Sequence, residues 1–328
     1  MSATPNWHDI LNEINKIGSP FDVIRRDYLK RLSDYTGRNT IVYYSGWLQK
    51  NVQGTEVNDS DKTGLMTVIN GLDLTKGLDL ILHTPGGLTA ATESIVDYLY
   101  SMFGNNIRAI VPQLAMSAGT MIACSCKSIL MGKQSNLGPI DPQLGPYPAH
   151  GIVEEFHRAY DEIKAAQLKV IQQRNDPNAI AEANATMAVW QPIIAKYTPA
   201  LIGECEKNIE WSETMVKDWL ARNMLLDLEP VEMERVRSNI MKELADHKVS
   251  KTHGRHISQQ KCIDLGLKIE KLEDDQKLQD LVLSVHHSCI HTLSGTSSFK
   301  IIENQNGIAF IQIAQMLSVP GPVAKNKP

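Results

Sequence analysis

The chain has 328 residues, of which 42% are hydrophobic and 21% charged, a composition typical of a globular protein with a sizeable core. Its net charge of −4 argues against nucleic-acid binding, because phosphate contacts call for a clustered basic face. No apolar run approaches the roughly eighteen residues of a membrane span, and residues 1–10 lack the pattern of a secretory signal. The five cysteines form no Cys-x-x-Cys pair, which favours a reduced, cytoplasmic protein.

The first predicted unit, residues 1–38, is a helical segment. Apolar side chains recur at helical spacing over residues 7–17 and again over residues 23–32, where Val23 is one of the residues assigned to the apolar face. Gly37 ends the second run.

The second predicted unit, residues 39–150, alternates strands with helices, which indicates a mostly parallel sheet in an α/β core. β-Branched and apolar runs predict strands at 39–44, 78–82, 107–111 and 128–131. Helical spacing predicts helices at 61–72, 89–103 and 117–126.

From residue 151 to 246 the pattern becomes helical, and we interpret this stretch as a helical insertion. A long amphipathic run over 153–168 is followed by runs at 178–195, 198–207, 212–222 and 229–246. Residues 247–293 return to the core pattern: Ser258 and Gly266 are typical helix caps, 267–269 predicts a short strand and 274–293 a last helix. Residues 294–328 form a C-terminal segment with a flexible Pro/Lys-rich tail.

Two segments in the core carry the pattern of a catalytic site. The first is Leu78-Asp-Leu-Ile-Leu-His-Thr-Pro-Gly-Gly87, in which a diglycine follows a strand. Glycines there let a ligand approach the main chain, and their N–H groups can stabilise an oxyanion. The second is Ala115-Met-Ser-Ala-Gly-Thr-Met-Ile-Ala123, which presents Ser117 at the start of a helix, where negative charge is stabilised. Alone, each segment is typical of an ordinary turn or cap; together they favour a nucleophile beside an oxyanion hole.

The stretch from about residue 78 to 145 resembles the ClpP/crotonase superfamily. Within it the similarity is to the SppA-like and NfeD-like serine proteases, and most closely to the family called serine dehydrogenase proteinases. The motifs that carry it are Leu82-His-Thr-Pro-Gly-Gly87, Met116-Ser-Ala-Gly-Thr120 and Ser135-Asn-Leu-Gly-Pro-Ile-Asp-Pro-Gln143, with a weaker similarity at Thr252-His-Gly-Arg-His-Ile257. The resemblance implies a ClpP/crotonase-like α/β fold of repeated ββα units and a homo-oligomer.

The resemblance also implies roles for individual residues. Ser117 would be the nucleophile, and the N–H groups of Gly87 and Ala118 would form the oxyanion hole, with Gly86 shaping the turn. A substrate peptide would lie beside Gly86–Leu88 as an added strand. The reaction would be hydrolysis of a peptide bond through an acyl-enzyme on Ser117.

The general base is not assigned by the sequence. ClpP has a histidine about 25 residues after its serine, but position 141 of this chain is Asp141. The SppA-like and NfeD-like enzymes use a lysine, and no lysine stands plainly in that place: the region offers His150, with Lys133 and Lys164 on either side. Asp141, as an orienting carboxylate or direct partner of Ser117, and His150 are the leading candidates.

Five further histidines are of interest. His253 and His256 lie where the chain returns to the core and could approach Ser117. His287 and His291 have the i, i+4 spacing of metal ligands without an accompanying Glu, so we predict no metal and no cofactor. His83, just before the diglycine, favours a buried core position.

Two other functions stay open. The same fold supports crotonase-type hydratases, isomerases or thioesterases acting on coenzyme A thioesters, although those enzymes have an acid or a glycine where this chain has Ser117. A catalytically silent oligomeric scaffold is the other alternative, because the usual base is missing. Substrate specificity, oligomeric state and the role of the helical insertion do not follow from the sequence.

Overall fold

The computed structural model describes residues 10, 21–145, 147–174, 176–245 and 252–314. The helix predicted over 7–17 and the tail from 315 onward lie almost wholly outside the described residues. Within the described part of the chain, no helix combines the length and apolarity needed to cross a membrane.

The described strands follow the order of the chain. They are β1 Asn39–Ser45, β2 Leu78–His83, β3 Ile107–Val111, β4 Leu114–Ala115, β5 Ser128–Met131, β6 Asn136–Leu137, β7 Gln143–Leu144, β8 Tyr147–Pro148, β9 Ile257–Ser258, β10 Ile269–Lys271, β11 Ser298–Asn304 and β12 Ala309–Ile313.

The described α-helices are α1 Phe21–Thr36, α2 Asp59–Ile69, α3 Thr89–Phe103, α4 Ala118–Cys124, α5 Ala149–Gln172, α6 Pro177–Ile194, α7 Leu201–Trp219, α8 Pro230–Leu244, α9 Gln259–Leu265 and α10 Gln276–Gly295. Among them, α1 precedes β1 and the others connect the strands.

A seven-stranded sheet forms the centre of the molecule, in the order β10-β5-β3-β2-β1-β11-β12. The first five strands pair in parallel, and β11 and β12 add two antiparallel strands beside β1. The predicted α/β class with a mostly parallel sheet is therefore confirmed.

Both faces of the sheet are covered, because successive side chains of a strand point to opposite faces. On β1, Ile41 and Tyr43 enter the core that helices α2, α3, α4, α7, α8 and α9 cover. Val42 and Tyr44 enter the opposite core, under α1 and α10. This arrangement makes three layers, with the sheet in the middle.

Two small sheets lie at the carboxyl ends of the parallel strands. β4, β6 and β9 form one, and the hairpin of β7 and β8 forms the other. Bridges from Thr84 to Ala115 and from Val57 to Gly87 tie the loops there together. These loops carry the residues for which chemistry is predicted.

Most predicted core elements are confirmed, three of them with the same bounds: α3, β3 and β5. The Ser258 and Gly266 caps are confirmed too, since Ser258 accepts a hydrogen bond from the Lys261 N–H and Gly266 is left-handed. The separate helices predicted at 198–207 and 212–222 are wrong, because α7 is continuous. Val23 was assigned to the buried face of α1 and is instead 56% exposed.

Candidate active site

Ser117 lies in the tight connection between β4 and α4. It is the N-cap residue of α4, with φ 49° and ψ −114°, a backbone conformation that residues other than glycine rarely adopt. The strand before it is fixed to the end of β2, because the Met116 N–H donates to the Thr84 carbonyl at 3.0 Å. Thr120 holds the start of the helix by donating its hydroxyl to the Ala115 carbonyl at 2.8 Å. The turn therefore presents Ser117 from a rigid support.

Residues 84–88, here called the diglycine turn, pack directly against Ser117. Gly86 has φ 97°, and a Cβ there would lie 2.5 Å from the Ser117 Cβ. A Cβ on Gly87 would lie 2.3 Å from the Val57 nitrogen and oxygen on the other side of the turn. Both glycines are thus required by close approach, which is what the diglycine pattern predicts.

Two N–H groups beside Ser117 are candidates for an oxyanion hole. Among the described residues, the N–H groups of Gly87 and Ala118 have no hydrogen-bond acceptor. Their neighbours are engaged: the Leu88 N–H donates to Val57 and the Gly119 N–H to Met116, both at 2.8 Å.

Asp141 is fully buried and forms a hydrogen bond with His253. The distance between Asp141 Oδ1 and His253 Nδ1 is 2.9 Å. The other carboxylate oxygen accepts from Gln143 Nε2, also at 2.9 Å. The His253 side chain keeps 29% of its surface exposed.

A cavity of about 500 Å³ contains both Ser117 and His253. No hydrogen bond joins the two side chains among the contacts of the described residues; such contacts often tighten only when substrate binds. The polar part of the wall includes Glu56, Gln143 and Asn208. Apolar side chains from several elements line the remainder: Leu88, Met121, Ile140 and Trp211.

The other candidate bases lie away from this cavity. His150 is in the first turn of α5, where its buried Nε2 has no hydrogen-bond partner among the described residues, and it does not line the cavity. Lys133 and Lys164 are exposed, and Lys164 lies over the Tyr160 ring. His253 reaches the site instead, although sequence spacing gave no reason to choose it over His256.

His83, His287 and His291 lie on the opposite face of the sheet. His83 is fully buried and stacks on Trp47, with ring centroids 4.4 Å apart, and burial lowers its pKa to about 3. His287 and His291 lie on α10, and burial lowers the pKa of His287 to about 4. No group of three or more His, Cys, Asp or Glu side chains among the described residues has the arrangement to hold a metal.

Comparison with known proteins gives a family match over part of the chain. Residues 52–187 match the model of the ClpP-like SDH-type serine proteinases. The SDH-type region contains the diglycine turn, Ser117 and Asp141, whereas His253 lies beyond it. The predicted resemblance is confirmed for these residues.

Two uncharacterized proteins of Methanocaldococcus jannaschii are similar to the chain. One is 43% identical over 135 residues, which is 41% of this chain and 43% of the relative. The other is 39% identical over 94 residues, 29% of this chain and 32% of the relative. The match thus spans less than half of either relative. No solved structure matches the chain.

Proposed function

We propose that this protein is a serine peptidase that hydrolyses peptide bonds through an acyl-enzyme on Ser117. The observation that carries the proposal is the hydrogen bond between Asp141 and His253, with His253 and Ser117 in one cavity. A carboxylate, an imidazole and a hydroxyl in this order form the constellation that activates serine in many unrelated hydrolases.

In the proposed mechanism His253 is the general base. Asp141 accepts the Nδ1–H, which holds the tautomer whose Nε2 can take the Ser117 proton. Ser117 Oγ attacks the substrate carbonyl carbon, and the proton moves to Nε2 and then to the leaving amine as the C–N bond breaks. Water then attacks the ester by the same route in reverse, releasing the acid and restoring the Ser117 hydroxyl.

The N–H groups of Gly87 and Ala118 would stabilise the tetrahedral oxyanion. Both lie beside Ser117 and have no recorded hydrogen bond within the described residues, and removing one such donor lowers kcat about 100- to 1,000-fold in a known hydrolase. Gly86 shapes the turn. The peptide would extend along Gly86–Leu88 as an added strand, and Leu88, 54% exposed, would contact its side chains.

A fluorophosphonate probe with mass-spectrometric mapping tests the proposal. We expect labelling of Ser117 that is lost in Ser117→Ala. If Ser117 is not labelled, the peptidase proposal fails and a silent scaffold is favoured. Micromolar binding of a coenzyme A thioester, without labelling, would instead favour a crotonase-type enzyme.

The base is tested by comparing two histidine variants in the same assay. His253→Ala should slow labelling at least about 100-fold, within the range for loss of a general base, and Asp141→Asn should slow it as well. His150→Ala is the matched variant, because His150 was the base candidate from the sequence. Slow labelling of His150→Ala with normal labelling of His253→Ala would restore His150 as the base.

Three broader features belong to the same proposal. We infer a ClpP/crotonase-like core of repeated ββα units, supported by the family match and the parallel sheet. We also infer a homo-oligomer, for which light scattering coupled to gel filtration is the test. The five cysteines are free and buried, which supports a reducing, cytoplasmic location.

A further inference from the structure

The segment Glu56–Asn58 holds the diglycine turn from the side opposite Ser117. The Val57 N–H donates to the Gly86 carbonyl at 2.7 Å, and the Leu88 N–H donates to the Val57 carbonyl at 2.8 Å. Because Gly87 approaches Val57 so closely, a displacement of Val57 would move the turn with it. The direction of the Gly87 N–H therefore depends on what fixes residues 56–58.

A fully buried ion pair fixes this segment at both ends. Lys300 Nζ donates to the Glu56 carbonyl at 2.7 Å and contacts the two Asp61 oxygens at 2.8 and 3.0 Å. Asp61 Oδ2 accepts from the Asn58 N–H at 2.9 Å. Lys300 and Asp61 are both 0% exposed, so the pair lies in a low-dielectric setting where a displaced charge is costly.

Tyr43 also contacts this ion pair. Its hydroxyl donates to Asp61 Oδ2 at 2.6 Å. Within the diglycine turn itself, Thr84 Oγ1 accepts from the Gly86 N–H at 3.2 Å. The chain of contacts from Lys300 and Asp61 to the turn therefore runs through residues 56–58.

We propose that Lys300 and Asp61 are positioning residues that align the Gly87 N–H of the oxyanion hole through Val57. This inference rests on the proposed peptidase function. Lys300 comes from β11, well beyond the region matched to the family, so the C-terminal hairpin of β11 and β12 becomes part of the support of the site.

The test is a variant in which both buried charges are removed together. Lys300→Met alone would leave Asp61 buried without its cation, whereas Lys300→Met with Asp61→Asn is neutral and keeps an acceptor for the Asn58 N–H. The matched control is Arg25→Met with Glu303→Gln. That pair is also fully buried, with Arg25 Nε 2.5 Å from Glu303, but it contacts β11 from the opposite face.

Two measurements are made on both neutral variants and on the unmodified chain. The first is the fluorophosphonate reaction, separated into the rate at saturation and the half-saturating concentration. We expect the Lys300/Asp61 variant to lose about tenfold or more in the saturated rate at unchanged half-saturation, because misaligned donors act on the transition state alone. The control variant should keep both values.

The second measurement is amide hydrogen exchange at Val57 and Leu88, which does not depend on labelling. Exchange there should accelerate at least tenfold in the Lys300/Asp61 variant relative to the control. Unchanged exchange or an unchanged saturated rate would overturn the inference. Failure of the unmodified chain to label would count against the proposed function alone, and the exchange result would still decide the positioning role.

Discussion

At the residue scale, the backbone of Ser117 has a strained conformation at the point where chemistry is proposed. A non-glycine residue with φ 49° is destabilised by roughly 1–3 kcal/mol, and such residues persist only where their surroundings enforce the conformation. The enforcing contacts are those of Met116 and Thr120, which fix the strand before and the helix after the serine. The strain is thus local, and it occurs at a residue that lines the same cavity as His253.

Gly86→Ala should slow the reaction of Ser117. The added methyl group would lie 2.5 Å from the Ser117 Cβ, so the serine or the diglycine turn must shift. We expect labelling by fluorophosphonate to slow about 100-fold, which is the effect of a displacement of about 1 Å. Gly71→Ala is the matched control: Gly71 also has a positive φ, 81°, but nothing lies within 4 Å of its added methyl group. Equal labelling rates for the two variants would contradict the steric argument.

At the scale of elements, α7 connects the helices of residues 149–244 to the cavity. It brings Asn208 and Trp211 to the wall, and Trp211 is anchored by donating its indole N–H to Glu93 of α3 at 3.3 Å. The helix ends in a π-helical turn, Leu220–Met224, where Asn223 donates to the Ser125 carbonyl at the end of α4. Helices from outside the parallel core therefore contribute to the shape of the cavity next to Ser117.

Trp211→Ala should weaken peptide binding without slowing the reaction of Ser117 with a small probe. Losing the Trp211 side chain removes about 1–2 kcal/mol of binding free energy from apolar contact. KM for a peptide substrate should therefore rise about tenfold. Labelling by a small alkyl fluorophosphonate, which does not extend to Trp211, should keep its rate. Ile171→Ala removes an apolar side chain that is 70% exposed on α5, and it should change neither value. A lower labelling rate in Trp211→Ala would indicate that Trp211 shapes the site of reaction itself.

At the scale of the whole molecule, the sequence predicts the elements that have a local pattern. It does not predict those that depend on contacts between distant residues. The parallel core was predictable because its strands are apolar runs bounded by Gly and Pro, as in Leu78–His83. The hairpin of β11 and β12 was missed because β11 places Lys300, Glu303 and Asn304 in buried positions. A buried lysine contradicts the hydrophobic pattern of a strand, and only its pairing with Asp61, 239 residues away, explains it.

The same division applies to the candidate site. Ser117 and the diglycine lie one strand-helix unit apart, and the chemistry of each is visible in its own segment. His253 is 112 residues from Asp141 and reaches it only through the packing of the helical region and β9 against the core. From the sequence, His253 and His256 are equal candidates. Only the hydrogen bond to Asp141 distinguishes His253 from His256, which is exposed.

Burial of His83 predicts that the whole fold loses stability in mild acid. Both ring nitrogens lack a hydrogen-bond partner among the described residues, and burial lowers the pKa from 6.5 to about 3. The rings of Tyr44 and of His286 on α10 contact it in the same cluster, and burial also lowers the pKa of His286. The unfolded chain therefore binds a proton at His83 that the native state does not. The stability contribution of neutral His83 is fully present above pH 6.5 and falls as the pH drops toward 3.

Between pH 7.5 and pH 5 the His83 contribution to the free energy of unfolding should fall by about 2 kcal/mol. His83→Phe keeps a ring against Trp47 and removes this titration. Between the two pH values, the free energy of unfolding of His83→Phe should therefore fall by about 2 kcal/mol less than that of the unmodified chain. Urea unfolding at the two pH values measures the difference, and His256→Ala controls for loss of an exposed histidine. The same loss in His83→Phe as in the unmodified chain would mean that His83 is protonated in the native state, with a partner for its charge.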